Sequence, residues 1–202
     1  LPLKKGMRVL DLGCGRGLTS VFLAEKFEVE VFAVDLWTSA TENYNRFKQE
    51  NVSHLTVPMQ FNALQLPFAE GFFDAIVSID SYHYFGNNDT YFEKILKPIL
   101  KKDAIVAIAF PGMKYEVYKN IPEEMEPLWD KEALEMWHSI NWWKPKFKSH
   151  LRNFQIAEMD CFTQAWHDWL SCDNPYAATD RLMIETDNGR YMNLIKLTGN
   201  LC

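Results

Sequence analysis

"VLDLGCGRG", residues 9–17, sets an apolar run against an acid and three glycines at alternate positions. The run reads as a strand ending at Asp11. Gly13, Gly15 and Gly17 then let the backbone turn sharply and approach a ligand with no Cβ in the way. The helix expected next opens with unpaired N–H groups. Asp35 ends the following apolar run, eighteen residues after Gly17, where a carboxylate can accept both hydroxyls of a ribose. This is the outline of a nucleotide-binding strand–helix–strand unit. Its details discriminate between ligands. The spacing G-x-G-x-G differs from the dinucleotide pattern G-x-G-x-x-G, whose last glycine would fall at Leu18. Asp11 beside the loop would repel a pyrophosphate, yet suits a ligand with an ammonium or sulfonium charge. A cationic nucleoside is expected, not a nicotinamide dinucleotide.

Outward from this loop, strand and helix signals alternate. Apolar residues at 18, 21, 22 and 24 predict a helix over Gly17–Phe27, and Val29–Val34 reads as a strand. A polar helix is expected over Thr38–Glu50, opened by a Thr/Ser cap. His54–Met59 and Phe73–Ile79 are further strands, Asp89–Leu100 a helix, and Ala104–Phe110 a fifth strand closed by Pro111-Gly112. Near-continuous apolar strands alternating with helices predict a doubly wound, Rossmann-like α/β fold. Its sheet should be mostly parallel, seven-stranded and covered on both faces.

The second half breaks that rhythm. Pro111 to about Arg152 carries Pro122, Pro127, Pro145 and four tryptophans, with helices expected over Asp130–Ile140 and from about Asn141. Pro145 is tolerable only near a first turn. Phe154–Cys161 is a sixth strand. Thr163–Asp187 reads as two helices broken at Asp173-Asn174-Pro175, Asp187-Asn188-Gly189 as a turn, and Tyr191–Leu197 as the seventh strand. The expectation is one domain over residues 1–202, with cap elements at about 111–152 and 162–189. The chain opens at Leu1, so N-terminal helices preceding it are expected to be missing.

Composition narrows the function classes. Among 202 residues, 48% are hydrophobic and 24% charged, as in a globular domain. A net charge of −6 argues against a nucleic-acid partner and against stable membrane association. No apolar run reaches the roughly eighteen residues that span a bilayer. Cys14, Cys161, Cys172 and Cys202 are scattered without a C-x-x-C pair, which suggests reduced thiols in the cytoplasm and no zinc site. A homodimer is compatible with all of this.

"VLDLGCGRG", Asp35 after the second strand, and "NALQLPFAEGFFDAIV" (62–77) together resemble the motif series of class I S-adenosylmethionine (SAM)-dependent methyltransferases. The similarity is to the small-molecule branch that includes ubiquinone-biosynthesis-type enzymes, and it covers residues 7–110 best. It implies SAM as cofactor and a small-molecule methyl acceptor as partner. It also implies that Asp11, Gly13, Cys14, Gly15 and Gly17 hold the methionine moiety and Asp35 the ribose. Leu36 and Trp37 would pack on adenine, while Asn62 and Ala63 read its edge. Asn62 stands where the family often has Asp, and an amide can still accept from and donate to adenine. No metal is required, and no ligand cluster for one is visible.

Ligands of doubly wound sheets bind beyond the carboxyl ends of the strands, which puts "DSYHYF" (80–85) at the site. Asp80 is expected beside the methionine end of the cofactor, with Ser81 and Tyr84 facing the acceptor. His83 is the candidate general base or orienting group, and Tyr82 a donor beside it. Asp74, before the same strand, reads as structural. The tryptophans read mainly as apolar faces of cap helices, with Trp166, Trp169 and Leu170 on one stripe. Lys144, Lys146, Lys148 and Arg152 read as a solvated helix face. The alternatives are a nicotinamide-dependent oxidoreductase, a non-catalytic SAM-binding module, and a lipid-modifying relative of the cyclopropane synthases.

Overall fold

The computed structural model describes residues 1–129 and 131–202. Strands β1 (Arg8–Leu12), β2 (Glu30–Asp35), β3 (Thr56–Gln60), β4 (Phe73–Ile79), β5 (Leu100–Met113), β6 (Leu151–Glu158) and β7 (Met192–Leu201) form one sheet in the order β3-β2-β1-β4-β5-β7-β6. The pairs β1–β2, β1–β4, β2–β3 and β4–β5 are parallel. The order differs from the doubly wound 3-2-1-4-5-6 only in that the last strand enters between the fifth and sixth. Strand order reverses at β1 and β4, so their carboxyl ends border the crevice where such sheets bind ligands.

The chain divides into two compact units: Leu1–Phe110 with Lys146–Gln155 and Leu197–Cys202, and Pro111–Pro145 with Ile156–Lys196. In the first, helices α1 (Leu18–Phe27) and α2 (Ala40–Gln49) cover one face of the sheet. Leu23, Ala24 and Phe47 pack there with Val9, Val31, Ala33, Ala75, Val77, Ile105 and Ala107. Leu10, Leu12 and Ile76, which point to the other face, are also fully buried, as a parallel sheet requires. Phe32 on that face meets Phe68, Phe72 and Phe73 edge-on. α2 starts one residue after Ser39, which forms a reciprocal capping box with Glu42. Asp74 is structural: its carboxylate accepts from the Arg8 amide (2.8 Å) and from Lys101 Nζ (2.6 Å). Burial alone would raise that carboxyl, but the two donors outweigh it and hold it low.

The second unit has its own core of Met113, Val117, Met125, Trp129 and Met192, with Trp137, Phe162 and Trp166 packed around it. Helices α6 (Phe162–Ser171) and α7 (Pro175–Asp187) break where expected. Asn174 caps α7 by accepting from the Tyr176 amide, and Pro175 occupies a first-turn position where its missing N–H costs nothing. Trp169 Nε1 donates to Asp180 across the α6–α7 pair (3.0 Å).

Four expectations need correction. The helix expected over Asp89–Leu100 is a π-helical turn, Phe92–Leu96, running into a short α3, Lys97–Ile99. Pro98 has no N–H to offer Lys94, and the wider turn lets Lys97 donate to the Phe92 carbonyl instead. β5 is not closed by Pro111-Gly112 but runs through to Met113. The Met113 amide donates to the His138 carbonyl (3.1 Å), and a Cβ on Gly112 would lie 2.9 Å from that same oxygen, so only glycine admits the approach. Pro145 lies inside α5 (Ile140–Lys148), not near its first turn, and α4 is confined to Lys131–Met136. Residue 130, the expected first residue of α4, lies outside the described residues. Lys146 is not solvated: its side chain is 10% exposed and its ammonium meets Asp89 and the Asn87 carbonyl.

Gly112→Ala should lower stability by about 1–3 kcal/mol, because the new methyl would also meet Ile195 Cδ1 at 2.4 Å. A urea midpoint equal to that of the parent protein would contradict this reading of the β5 extension.

Candidate active site

The site is built around the turn from β1 into α1. The amides of Gly13 and Cys14 both donate to the Val34 carbonyl at the end of β2 (2.8 and 3.0 Å), which folds the loop back over the sheet edge. Gly13 (φ 73°) and Gly17 (φ 82°) are left-handed. A Cβ at Gly13 would lie 1.9 Å from Ser81 Oγ, and one at Gly17 would lie 2.5 Å from the Phe47 ring. No alanine fits either position. Gly15 is different, since a Cβ there would meet nothing within 4 Å. Its face is open, on the side where a ligand could approach. No side chain caps α1, which begins beyond Gly17.

Two carboxylates flank this loop. Asp11 is buried; Ser20 Oγ donates to its Oδ2 at 2.6 Å, while Oδ1 has no hydrogen-bond partner among the described residues. Burial, more than it is offset by the Ser20 hydroxyl, and then the nearby Asp35 charge push the Asp11 carboxyl up to about 7. Asp35 accepts from the amides of Gly15, Trp37 and Thr38, all at 2.8 Å. It therefore ties the glycine loop to the turn that leads into α2. The Cys14 thiol is buried and is pushed up by burial and then by the Asp11 and Asp35 charges, so it is an inert loop member.

The end of β4 closes on the same loop. Ser78 Oγ and Ser81 Oγ both donate to the Leu12 carbonyl (2.8 and 2.9 Å) and lie 3.0 Å apart. Between them Asp80 is exposed and left-handed (φ 57°), and its amide donates to the Ala109 carbonyl (2.7 Å). The acceptor-facing placement expected for Ser81 is thereby corrected, because its hydroxyl is committed to the glycine turn. Tyr82 is corrected as well. It is 1% exposed, and its ring packs with Phe85, Tyr91, Phe110 and Phe147, so it is a core residue. Burial raises its phenol far above the ordinary range.

His83 is 2% exposed, with Nδ1 buried and unpartnered among the described residues. Burial pushes it down to about 4, so the imidazole is neutral at pH 7. Its ring lies against that of Tyr84 (4.1 Å between centroids). Tyr84 is 48% exposed and Trp37 is 73% exposed, and their rings meet edge-on at 5.4 Å. β1 lies between β2 and β4 in the sheet. A contact between the residues that follow β2 and β4 therefore spans the end of β1 and its glycine loop. Leu36, beside Trp37, is exposed. Asn62 Oδ1 accepts from the Leu64 amide (2.9 Å) and keeps a second lone pair, and the Ala63 carbonyl accepts from Tyr91 (3.0 Å).

Three functional-looking residues were missed in the sequence. Ser20 was legible only as a polar residue on the inner face of α1. Ser78 was the one hydroxyl inside an apolar strand, "FDAIVSI". Asn43 shares the buried face of α2 with Phe47, four residues on, and its amide donates to the Gly15 carbonyl (2.9 Å). Among the described residues no group of three or more His, Cys, Asp or Glu could hold a metal ion.

Residues 9–102 match the family model described as a methyltransferase domain. Over 110 residues the chain is 30% identical to the O-methyltransferase resE of Aspergillus sclerotiorum, covering 54% of this chain and 41% of that protein. It is 31% identical over 85 residues to the 27-O-demethylrifamycin SV methyltransferase of Amycolatopsis mediterranei, covering 42% of this chain and 31% of that one. The chain thus spans less than half the length of these curated relatives. The geranyl diphosphate C-methyltransferase of Streptomyces coelicolor A3(2), solved with Mg2+, geranyl diphosphate and S-adenosyl-L-homocysteine, superposes with a TM-score of 0.78 at 16% identity, over 98% of this chain and 74% of that one. Phosphoethanolamine N-methyltransferase 2 of Haemonchus contortus, solved with S-adenosyl-L-methionine, gives 0.75 at 19% identity, over 98% and 49%. The glycine loop, the acid after β2 and the β3-β2-β1-β4 part of this strand order thus stand in a segment, residues 9–102, that is similar to the methyltransferase domain.

Proposed function

We propose that this protein transfers the methyl group of SAM to a small-molecule acceptor, releasing S-adenosylhomocysteine. The observation that carries the reading is Asp11: a buried carboxyl at the glycine turn with one oxygen unpartnered, and no basic side chain on it, among the described residues. Such a group is costly in a protein with nothing to place against it, and a pyrophosphate would make it worse. A cationic nucleoside supplies the missing partner. Asp35 has one lone pair left, on Oδ2, for a ribose hydroxyl, the open face of Gly15 leaves room for the methionine chain, and Leu36, Trp37, Asn62 and Ala63 border the adenine side. When bound, SAM supplies a sulfonium-activated methyl group, and the displacement at that carbon is in line and needs no metal.

The chain's own contribution is alignment and a dry, neutral surround. Asp80, held in a strained conformation, sits at the methionine end. His83, neutral and with a vacant ring nitrogen, orients the acceptor. A group pushed down to about 4 is a weak base, so the role assigned to His83 is orientation. Tyr84 faces the acceptor from the exposed side. The relatives' names place their acceptors among small molecules, a rifamycin, phosphoethanolamine and geranyl diphosphate, which supports the same class here. Four unpaired cysteines support a cytoplasmic location. No helix among the described residues is long and apolar enough to cross a membrane.

Titration calorimetry tests the cofactor: SAM should bind with micromolar affinity and NAD should not, and the reverse preference would sink the proposal. Asp11 adds a pH signature. Its folded value of about 7 lies above that of an unfolded carboxyl, so the native state holds more protons between about pH 4 and 7. Stability of the free protein should therefore fall as pH rises through that window, while SAM affinity rises because the cation favours the ionised form. Asp11→Asn should flatten both profiles and weaken SAM binding at least tenfold; a pH-dependent affinity that survives the substitution would contradict the assignment. His83→Ala should leave SAM affinity within about twofold while turnover with an identified acceptor drops roughly 10²-fold through lost orientation, and equal losses in both would point to a packing role instead.

A further inference from the structure

The two peptide units that flank the Gly15 Cα are each held by a residue of the β2–α2 arm. The Gly15 N–H donates to Asp35 Oδ2 (2.8 Å), and the Gly15 carbonyl accepts from Asn43 Nδ2 (2.9 Å). Asn43 lies on the inner face of α2 and is 2% exposed. Arg46 Nη1 donates to its Oδ1 (2.9 Å). A guanidinium can only donate, so the amide has one orientation, oxygen to Arg46 and nitrogen to the loop. The same nitrogen reaches Cys14 Sγ at 3.5 Å, and the Cys14 thiol itself points to the Gly15 carbonyl at 3.6 Å, a longer and weaker contact. Helix α2 is in turn fixed at its start by the Ser39–Glu42 capping box. Gly15 is the loop position whose face is open, and left-handed glycines at 13, 15 and 17 give the free loop little reason to keep one conformation.

We infer that Asn43 is a positioning residue for cofactor binding: it orients the Gly15 carbonyl, and with it the Gly15–Arg16 peptide, so that the open face of the glycine loop is preformed for the methionine end of the nucleoside. This rests on the SAM reading above. Asn43 makes no contact with the cofactor in this scheme. It acts by removing the ordering cost that a loose loop would add to every binding event. Arg46 acts one step further back, by keeping the amide turned.

The test is calorimetric titration with S-adenosylhomocysteine, which needs no acceptor, on the parent protein and three variants. Asn43→Ala and the near-isosteric Asn43→Asp, which loses the donor but keeps the volume, should each weaken the dissociation constant roughly tenfold with stoichiometry unchanged. Arg46→Ala should give a smaller loss, about two- to threefold. Variants that bind with the parent constant, whether at full or reduced stoichiometry, would overturn the inference, since a residue needed only for folding removes sites without weakening those that remain. Failure of the parent protein to bind S-adenosylhomocysteine would instead remove the SAM reading on which the inference stands.

Discussion

The carbonyl of Leu12 is the point on which the site depends. It is the last acceptor of β1, and it takes two hydroxyls, from Ser78 and Ser81, that belong to the neighbouring strand and the turn beyond it. The next residue, Gly13, has no space for a side chain because Ser81 fills it. The turn into α1 and the turn after β4 are thus one packed object. The left-handed backbone at Asp80 lies inside that object, held between the two serines. Strain of this kind persists only where its surroundings over-determine it, and here the shared carbonyl and the Ala109 contact do so.

Electrostatics shape the same few residues. Asp11 and Asp35 are both at least nine-tenths buried, yet their environments differ sharply. Asp35 receives three backbone amides and is satisfied as a carboxylate. Asp11 receives one hydroxyl and is driven towards its neutral form by burial and by Asp35 itself. One acid is a structural anchor, and the other is a buried carboxyl with one oxygen unpartnered among the described residues. That difference, more than the glycines, points to a cationic ligand.

The fold was largely legible because its signals are local. Apolar runs of five to seven residues ending in Asp11, Asp35 and Ile79 mark parallel strands whose two faces are both buried, and Asn174-Pro175 announces a helix start by backbone chemistry alone. The misreadings came where a distant atom decides. Pro111-Gly112 looks like a terminator, yet the strand continues because the His138 carbonyl supplies a partner. Pro98 looks like a helix residue, yet it widens the turn before it. The loops around the site were legible, and the contacts of their side chains were not. Ser81 and Tyr82 follow β4, but one is tied to Leu12 and the other is sealed in an aromatic cluster, so neither has the acceptor-side place expected of it.

By itself the sequence determined the class of sheet, the place of the glycine turn, the acid after the second strand and the sign of charge the ligand should carry. Those follow from periodicity, from glycine's lack of a Cβ, and from residue spacing along one strand–helix–strand unit. Only the tertiary structure decided which polar groups are already spoken for. Asn43 and Ser78 became visible as loop supports, Ser81 and Tyr82 left the acceptor side, and Asp11 was found with an oxygen unpartnered among the described residues. The reason is that hydrogen-bond satisfaction is a property of pairs, and the loop partners of Asn43, Ser78 and Ser81 lie 28 to 69 positions away in the chain.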